Sequence, residues 1–312
     1  MITFEKIIKA FKSYICDDYY RFLVNAGFGV YNKTSDQEYL SKRFRAAFGR
    51  DIDFHNPHSF NEKMQWLKLY NRKEEYTVMV DKYRVREYIS RTIGEDYLIP
   101  LLGVWDNAEA IEFEQLPKQF VLKCNHNSGK GMIICKNKDL LDIPSTKKTL
   151  RDGLNENYYL LNREWPYKNV ERRIIAEKYM VDGQTQQLID YKVHCFNGIP
   201  RFVLVCSDRF SKDGVKEDFY DINWNRIPVS RPNKRTSAQD VPRPEQLDEI
   251  LEISKALANN IPFLRTDFYI INGKVYFGEI TFFPASGFSS FVPKDWDDIF
   301  GSWIKLPQVK QV

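Results

Sequence analysis

The stretch Arg265-Thr-Asp-Phe-Tyr-Ile-Ile-Asn-Gly-Lys-Val-Tyr-Phe-Gly-Glu279-Ile-Thr281 decides how this chain is read. Aromatic and β-branched residues flank Asn272-Gly273, a strong hairpin signal, so two antiparallel strands are expected. Side chains alternate between strand faces, so Arg265 and Asp267 share one face, as do Glu279 and Thr281. A two-residue Asn-Gly turn sets Asp267 opposite Gly278 and sends Glu279 to the other side of the ribbon. A three-residue loop, Ile271 to Gly273 with the glycine left-handed, shifts the pairing and returns both carboxylates to a common face. The three-residue loop is therefore expected. Two acids and an arginine so placed suggest a metal–phosphate site; the plainer alternative is a hairpin with solvated charges.

Around this hairpin, 312 residues give room for one large domain or two to three lobes. A hydrophobic content of 43% indicates a folded chain, and a net charge of +4 is too mild to argue for nucleic acid. Five cysteines, odd in number and without a close pair, fit a reduced, cytosolic compartment. His55 and His58 lack any cysteine partner, so zinc is not expected. Glu5, Lys6, Lys9 and Lys12 interrupt Met1–Cys16, which leaves no signal-peptide core, and no run approaches a membrane span. The same segment is amphipathic, with Phe4, Ile7, Ile8, Phe11 and Ile15 on one side. It is expected to pack as a first helix, with docking at a membrane face as the alternative.

Residues 1–110 read as mainly helical. Ser59 with Glu62 makes a capping-box signature ahead of Lys63–Tyr70. A helix over Asp81–Ile89 sets Lys82 and Arg86 one turn apart, like charges that an anion between them would relieve, which makes both candidate substrate contacts. Strands follow at Phe120–Cys124, Gly131–Cys135, Arg173–Met180, Leu188–Phe196 and Arg201–Cys206, then a polar loop over Val229–Pro244 and a helix through Leu247–Leu257. Between the first two strands, Ser128-Gly129-Lys130-Gly131 offers backbone amides and a lysine of the kind that cradle phosphate oxygens. It is not a Walker A loop, because a strand follows where that motif needs a helix.

Lys123 on the strand entering that loop, Glu177-Lys178 ending a later strand, Lys192 on the next, and then Arg265, Asp267 and Glu279 form an order that resembles the ATP-grasp superfamily. Phe60-Asn-Glu-Lys-Met-Gln-Trp-Leu-Lys-Leu-Tyr70, Asp81-Lys-Tyr-Arg-Val-Arg-Glu-Tyr88, Leu122-Lys-Cys-Asn-His-Asn-Ser-Gly129 and Gly278-Glu-Ile-Thr281 are similar to its TupA-like branch. The likeness runs from about Phe44 to Lys305. It implies an α+β fold in which two lobes clasp ATP: a helical region at 1–110, a lid at 111–181, and a subdomain at 182–312 bearing the metal site.

The implied activity is an ATP- and Mg2+-dependent ligase that joins a carboxylate to an amine through an acyl-phosphate. Its implied partners are a uronic-acid carboxylate of a capsular or cell-wall polysaccharide, or its precursor, and an amino acid or other amine. The setting would be cytoplasmic, with peripheral association with a membrane-bound assembly complex. On this resemblance Lys123 and the Ser128–Gly131 loop meet the nucleotide phosphates, Glu177 with Lys178 and Met180 the adenine, and Asp182 or Gln184 the ribose. Lys192 meets the phosphates from the other lobe and Arg265 stabilises charge at the acyl centre. Asp267 and Glu279 hold magnesium, with Thr281 where most such enzymes carry asparagine. Ser286 and Gly287 are candidates for the substrate carboxylate. Two alternatives stand beside this reading: a glycosyltransferase, given the Asp-x-Asp pattern Asp51-Ile-Asp53, and a non-catalytic nucleotide-binding protein of the same fold.

Overall fold

Runs rich in aromatic and β-branched residues pair in two antiparallel sheets, each with its own core. The computed structural model describes residues 4–183, 188–208 and 211–308. Helices come first: α1 (Phe4–Cys16), α2 (Asp18–Gly27), α3 (Asp36–Phe48), α4 (Phe60–Tyr70), α5 (Glu74–Val80) and α6 (Val85–Thr92). Next come β1 (Leu101–Trp105), β2 (Phe120–Cys124), β3 (Ile133–Cys135), α7 (Ile143–Leu154), α8 (Tyr158–Asn162) and β4 (Ile174–Lys178), whose strands form one sheet in the order β1-β4-β2-β3. The second sheet contains β5 (Asp190–Phe196), β6 (Ile199–Ser207), β7 (Lys216–Asp221), β8 (Phe263–Ile271) and β9 (Lys274–Thr281), ordered β7-β6-β5-β8-β9. Helix α9 (Leu247–Ala258) leads into β8, and α10 (Trp296–Trp303) follows β9.

The smaller sheet buries Phe120, Leu122, Ile174 and Ala176 against Leu150 of α7. The larger buries Val193, Phe196, Phe263 and Phe268 in a core that also takes in Phe60 and Met64 of α4 and Phe300 of α10. Helix α9 covers one face of this sheet, where Ser254 bonds Thr266 at 2.9 Å. The opposite face carries the charged residues, beside phenylalanines that pack against α4 and α10.

The capping box at α4 is formed: Ser59 accepts from the Glu62 amide and Glu62 accepts from the Ser59 amide. Two expectations fail nearby. The helix expected from Asp81 starts at Val85, because Asp81 Oδ1 accepts the amides of Tyr83 at 2.8 Å and Arg84 at 3.2 Å, a local turn that competes with helix. Lys82 therefore lies in that turn and not one helical turn before Arg86. Helix α1 does not bury its apolar side: Tyr14 reaches Asn25 of α2 at 2.9 Å, while Ile7, Ile8, Phe11 and Ile15 are each more than half exposed.

The β8–β9 turn also differs from expectation. Ile271 pairs with Lys274, so Asn272-Gly273 is a two-residue turn, with φ of 50° and 77° as a type I′ turn requires. The extra residue lies further along. Phe268 pairs with Phe277 but Asp267 pairs with Glu279, so Gly278 is a β-bulge that restores the register the two carboxylates need.

Candidate active site

Register across the larger sheet assembles the charged cluster. Lys192 on β5 pairs with Asp267 on β8, which pairs with Glu279 on β9, and Arg265 lies two residues along β8 on the same face. Arg265 Nε donates to Asp267 Oδ1 at 2.6 Å, and its Nη2 to Asp267 Oδ2 at 2.7 Å and Glu279 Oε1 at 2.8 Å. Lys192 Nζ also donates to Asp267 Oδ2, and Thr281 Oγ1 lies 3.3 Å from Glu279 Oε1. Burial alone would raise the Asp267 carboxyl; the charges of Arg265 and Lys192 override it and hold the group below the usual carboxylate range. Arg265 is itself driven up, since its two carboxylates outweigh the cost of burial. One guanidinium thus neutralises both acids. Among the described residues no group of three or more His, Cys, Asp or Glu side chains is placed to hold a metal unaided. Two carboxylates completed by phosphate oxygens are what magnesium ordinarily uses, so the donor set fits Mg2+ bound together with a nucleotide.

The facing wall belongs to β2 and β4 and the turn before α6. Lys123 and Glu177 share a face of the smaller sheet, Nζ to Oε2 at 2.6 Å, and Arg86 approaches Glu177 at 3.8 Å. Lys82 is buried. Its Nζ donates to Asn127 O at 2.5 Å, and its amide to Asn125 O at 3.2 Å. Asn125 in turn donates to Asp81 Oδ1 at 2.8 Å, which locks the Asp81-Lys82 turn to the loop after β2. Burial pushes the Lys82 ammonium down, offset first by Glu279. Lys82, Arg86, Lys123, Glu177, Gly278 and Glu279 line one hollow between the sheets. Lys123, Glu177 and Gly278 continue into a second, of about 280 Å³, with Val121, Ile134, Leu188 and Tyr269 as apolar walls and Lys178 and Met180 beside them. A slot with apolar walls and a few polar groups, joined to a cation-rich hollow, suits a purine base with phosphates attached.

Other expected residues stand elsewhere. Ser128, Gly129 and Lys130 are exposed and line neither hollow; Lys130 faces Glu156 at 3.8 Å. Gly131 is buried against Gly153 of α7, where a Cβ would come within 3.0 Å of its Cα. Asp182 accepts the Asn272 amide at 2.9 Å and so braces the hairpin turn, while Gln184 lies outside the described residues. The Asp51-Ile-Asp53 pair is engaged locally: Arg45 holds Asp51 at 2.6 and 2.7 Å, and Asp53 accepts the His55 amide at 2.8 Å.

Ser286 and Gly287 are buried, and their polar atoms are engaged by helix α4. Lys68 of α4 donates to Ser286 O at 2.8 Å, Ser286 Oγ at 3.0 Å and Asn162 O at 2.9 Å, and Gln65 donates to Gly287 O at 2.7 Å. These bonds hold Ala285 and Ser286 at φ of 47° and 57°, a left-handed pair that side chains disfavour. Lys68→Met should therefore lower unfolding free energy by about 2 kcal/mol, measured by urea titration; an unchanged midpoint would refute this role.

Sequence reasoning missed Tyr269 and Tyr167. Tyr269 was accessible, since it lies two residues past Asp267 on the same strand face. Tyr167, half-buried beside the phosphate-side hollow, sits in a short helical turn after β3 and α8 and carried no signal of its own.

A family profile described as TupA-like ATPgrasp matches residues 62–305. No curated protein sequence matches the chain. Among solved structures, a D-alanine–D-alanine ligase from Bacillus anthracis complexed with ATP aligns at 17% identity and a TM-score of 0.40, over 65% of this chain and 55% of that one. The D-alanine–D-alanine ligase of Helicobacter pylori aligns at 15% identity and a TM-score of 0.41, over 80% of this chain and 71% of that one. The ATP-grasp ligase PsnB, complexed with minimal precursor, Mg and ADP, aligns at 11% identity and a TM-score of 0.39, over 81% and 64%. The chain thus spans little more than half the length of the first of these.

Proposed function

The chain belongs to the TupA-like ATP-grasp family, and from that membership we propose that it is an ATP-dependent ligase that joins a carboxylate to an amine, with ADP and phosphate as the other products. The observation that carries this reading is the cluster of Lys192, Asp267, Glu279 and Arg265 abreast on one sheet face, across a cleft from Lys82, Lys123 and Glu177. Bound there, MgATP would supply the phosphoryl group that activates the carboxylate. The chain's own part is positioning and charge neutralisation, which phosphoryl transfer needs more than covalent help.

In this reading Asp267 and Glu279 hold the metal, and Thr281 supports Glu279. Lys82, Lys123 and Lys192 meet phosphate oxygens. Arg265, a fixed fork between the two acids, turns toward charge on the acyl centre when a metal takes over their neutralisation. Lys178, Met180 and Tyr269 bound the base slot with Glu177. Lys82 moves by this argument from a substrate contact to a nucleotide contact. The exposed Ser128–Lys130 tip is free to fold over the phosphates.

The carboxylate we assign, on the family, to a uronic acid of a capsular or cell-wall polysaccharide or its precursor. We place the reaction in the cytoplasm at the inner membrane face. The uncovered row Ile7, Ile8, Phe11 and Ile15, with Lys9 and Lys12 on the same helix, supports that placement. No helix among the described residues is long and apolar enough to cross a membrane. ADP and phosphate release, screened over uronic acids with and without amines, tests the reading. Release should require both partners together. UDP or GDP release from a nucleotide sugar without ATP would favour a glycosyltransferase instead.

A further inference from the structure

Beside the charged cluster, on the same face of the larger sheet, lies a cavity of about 180 Å³ that no step above uses. Lys192 and Arg265 stand at one side of it, and Arg231, paired with Glu217 of β7, at the other. From β8 to β7 is three strand spacings, roughly 14 Å. The walls between are Phe60, Phe202, Phe219, Phe291 and Phe300, each at least nine-tenths buried.

Two polar groups lining this chamber each keep one atom unused. His194 is 5% exposed and stacked on Phe202 at 4.2 Å. Burial, with Arg265 and Arg231 nearby, holds its imidazole neutral. Its Nδ1 lies 3.0 Å from Lys192 O and so carries the proton, which leaves Nε2 an acceptor with no hydrogen bond among the described residues. Arg231 spends Nε and Nη2 on Glu217, leaving Nη1 a donor unused among the described residues. Close-packed interiors rarely leave space of this size.

We propose that this cavity seats the amine substrate and that the substrate is an α-amino acid with an apolar side chain about as large as that of leucine or phenylalanine. The inference rests on the ligase reading above. The Arg231 guanidinium takes the amino acid's carboxylate. His194 Nε2 accepts an amine N–H next to Arg265, its neighbour across the β5–β8 pairing, where the activated carboxylate arrives. The phenylalanines receive the side chain. An apolar cavity of roughly 150 Å³ takes benzene, so there is room for a benzyl or isobutyl group. Sugar hydroxyls or an acidic side chain placed against the phenyl faces would lose solvation there, which disfavours the glycan and glutamate.

Calorimetric titration of the full chain, with MgADP present, tests this using L-leucine, L-phenylalanine, glycine and L-glutamate at up to about 10 mM, above the usual range of substrate constants. Leucine or phenylalanine should bind at least about tenfold tighter than glycine or glutamate. 3-Methylbutylamine, which lacks the carboxylate, and 4-methylpentanoate, which lacks the amine, should each bind at least about tenfold more weakly than leucine. Val215→Trp, at a half-buried wall position, should fill the cavity and abolish leucine binding while MgADP binding is unchanged. Leucine binding no tighter than glycine, or glutamate binding tightest, overturns the proposal whatever the variant does. MgADP binding without leucine binding sinks this inference and leaves the ligase reading; leucine binding without MgADP binding sinks the ligase reading and leaves an amino-acid site that is not an amine-substrate site.

Discussion

Glu279→Gln should cut ligase turnover by about 10³-fold or more while leaving the fold in place. The substitution removes one negative charge and almost no volume. Glu279 is partly exposed, and in the absence of metal its Oε1 serves mainly as an acceptor for Arg265 and Thr281, which a glutamine carbonyl also satisfies. Asp267 keeps both bonds from Arg265 and the bond from Lys192, so its buried charge stays compensated. What is lost is half of the anionic pair that would neutralise a divalent cation and its phosphates. Steady-state ADP release, with circular dichroism and thermal melting as controls, separates the two effects. Near-normal turnover would remove Glu279 from the metal site, and a collapsed melting transition would show its charge to be structural.

How much of this was readable beforehand depends on whether the deciding contact is local. The hairpin, the capping box at Ser59 and Glu62, and the grouping of Arg265, Asp267 and Glu279 all follow from short-range rules, and the structure contains them. The carboxylates share a face as expected, but through a bulge at Gly278 and not through a longer turn. A glycine inside a strand was itself a signal for that bulge. Lys82 was misplaced for a similar reason, since Asp81 bonding to amides two and three residues on breaks a helix that periodicity alone would continue. Ser286 is a different case. Its burial depends on Lys68, a helix residue far away in sequence, and no pattern around Pro284–Gly287 announces that partner. The phenylalanine-walled cavity is less legible still, because Phe60, Phe219 and Phe300 come from three distant elements and each read alone as ordinary core.

Gly278→Val should weaken ATP binding by about 100-fold or more, the scale expected when a reacting group is displaced by about 1 Å. Gly278 lines both hollows, so it stands between the base slot and the phosphate side of the cleft. A Cβ there would come within 3.1 Å of Asp267 O and of Tyr269 Cε2. The carbonyl belongs to strand β8 and cannot swing away. The remaining relief is to move Tyr269 out of the slot wall or to flatten the bulge, and flattening it shifts Glu279 out of line with Asp267. Either response damages nucleotide binding, so the loss does not depend on which occurs. The stability cost should stay at about 1–3 kcal/mol for overpacking one strand position, because the turn at Asn272-Gly273 and the pairing of β8 with β5 are untouched. Nucleotide titration beside urea unfolding distinguishes the outcomes. A Gly278→Val chain that binds MgATP normally would mean that the bulge sets strand register alone, and the proposed path of the nucleotide across it would have to be redrawn.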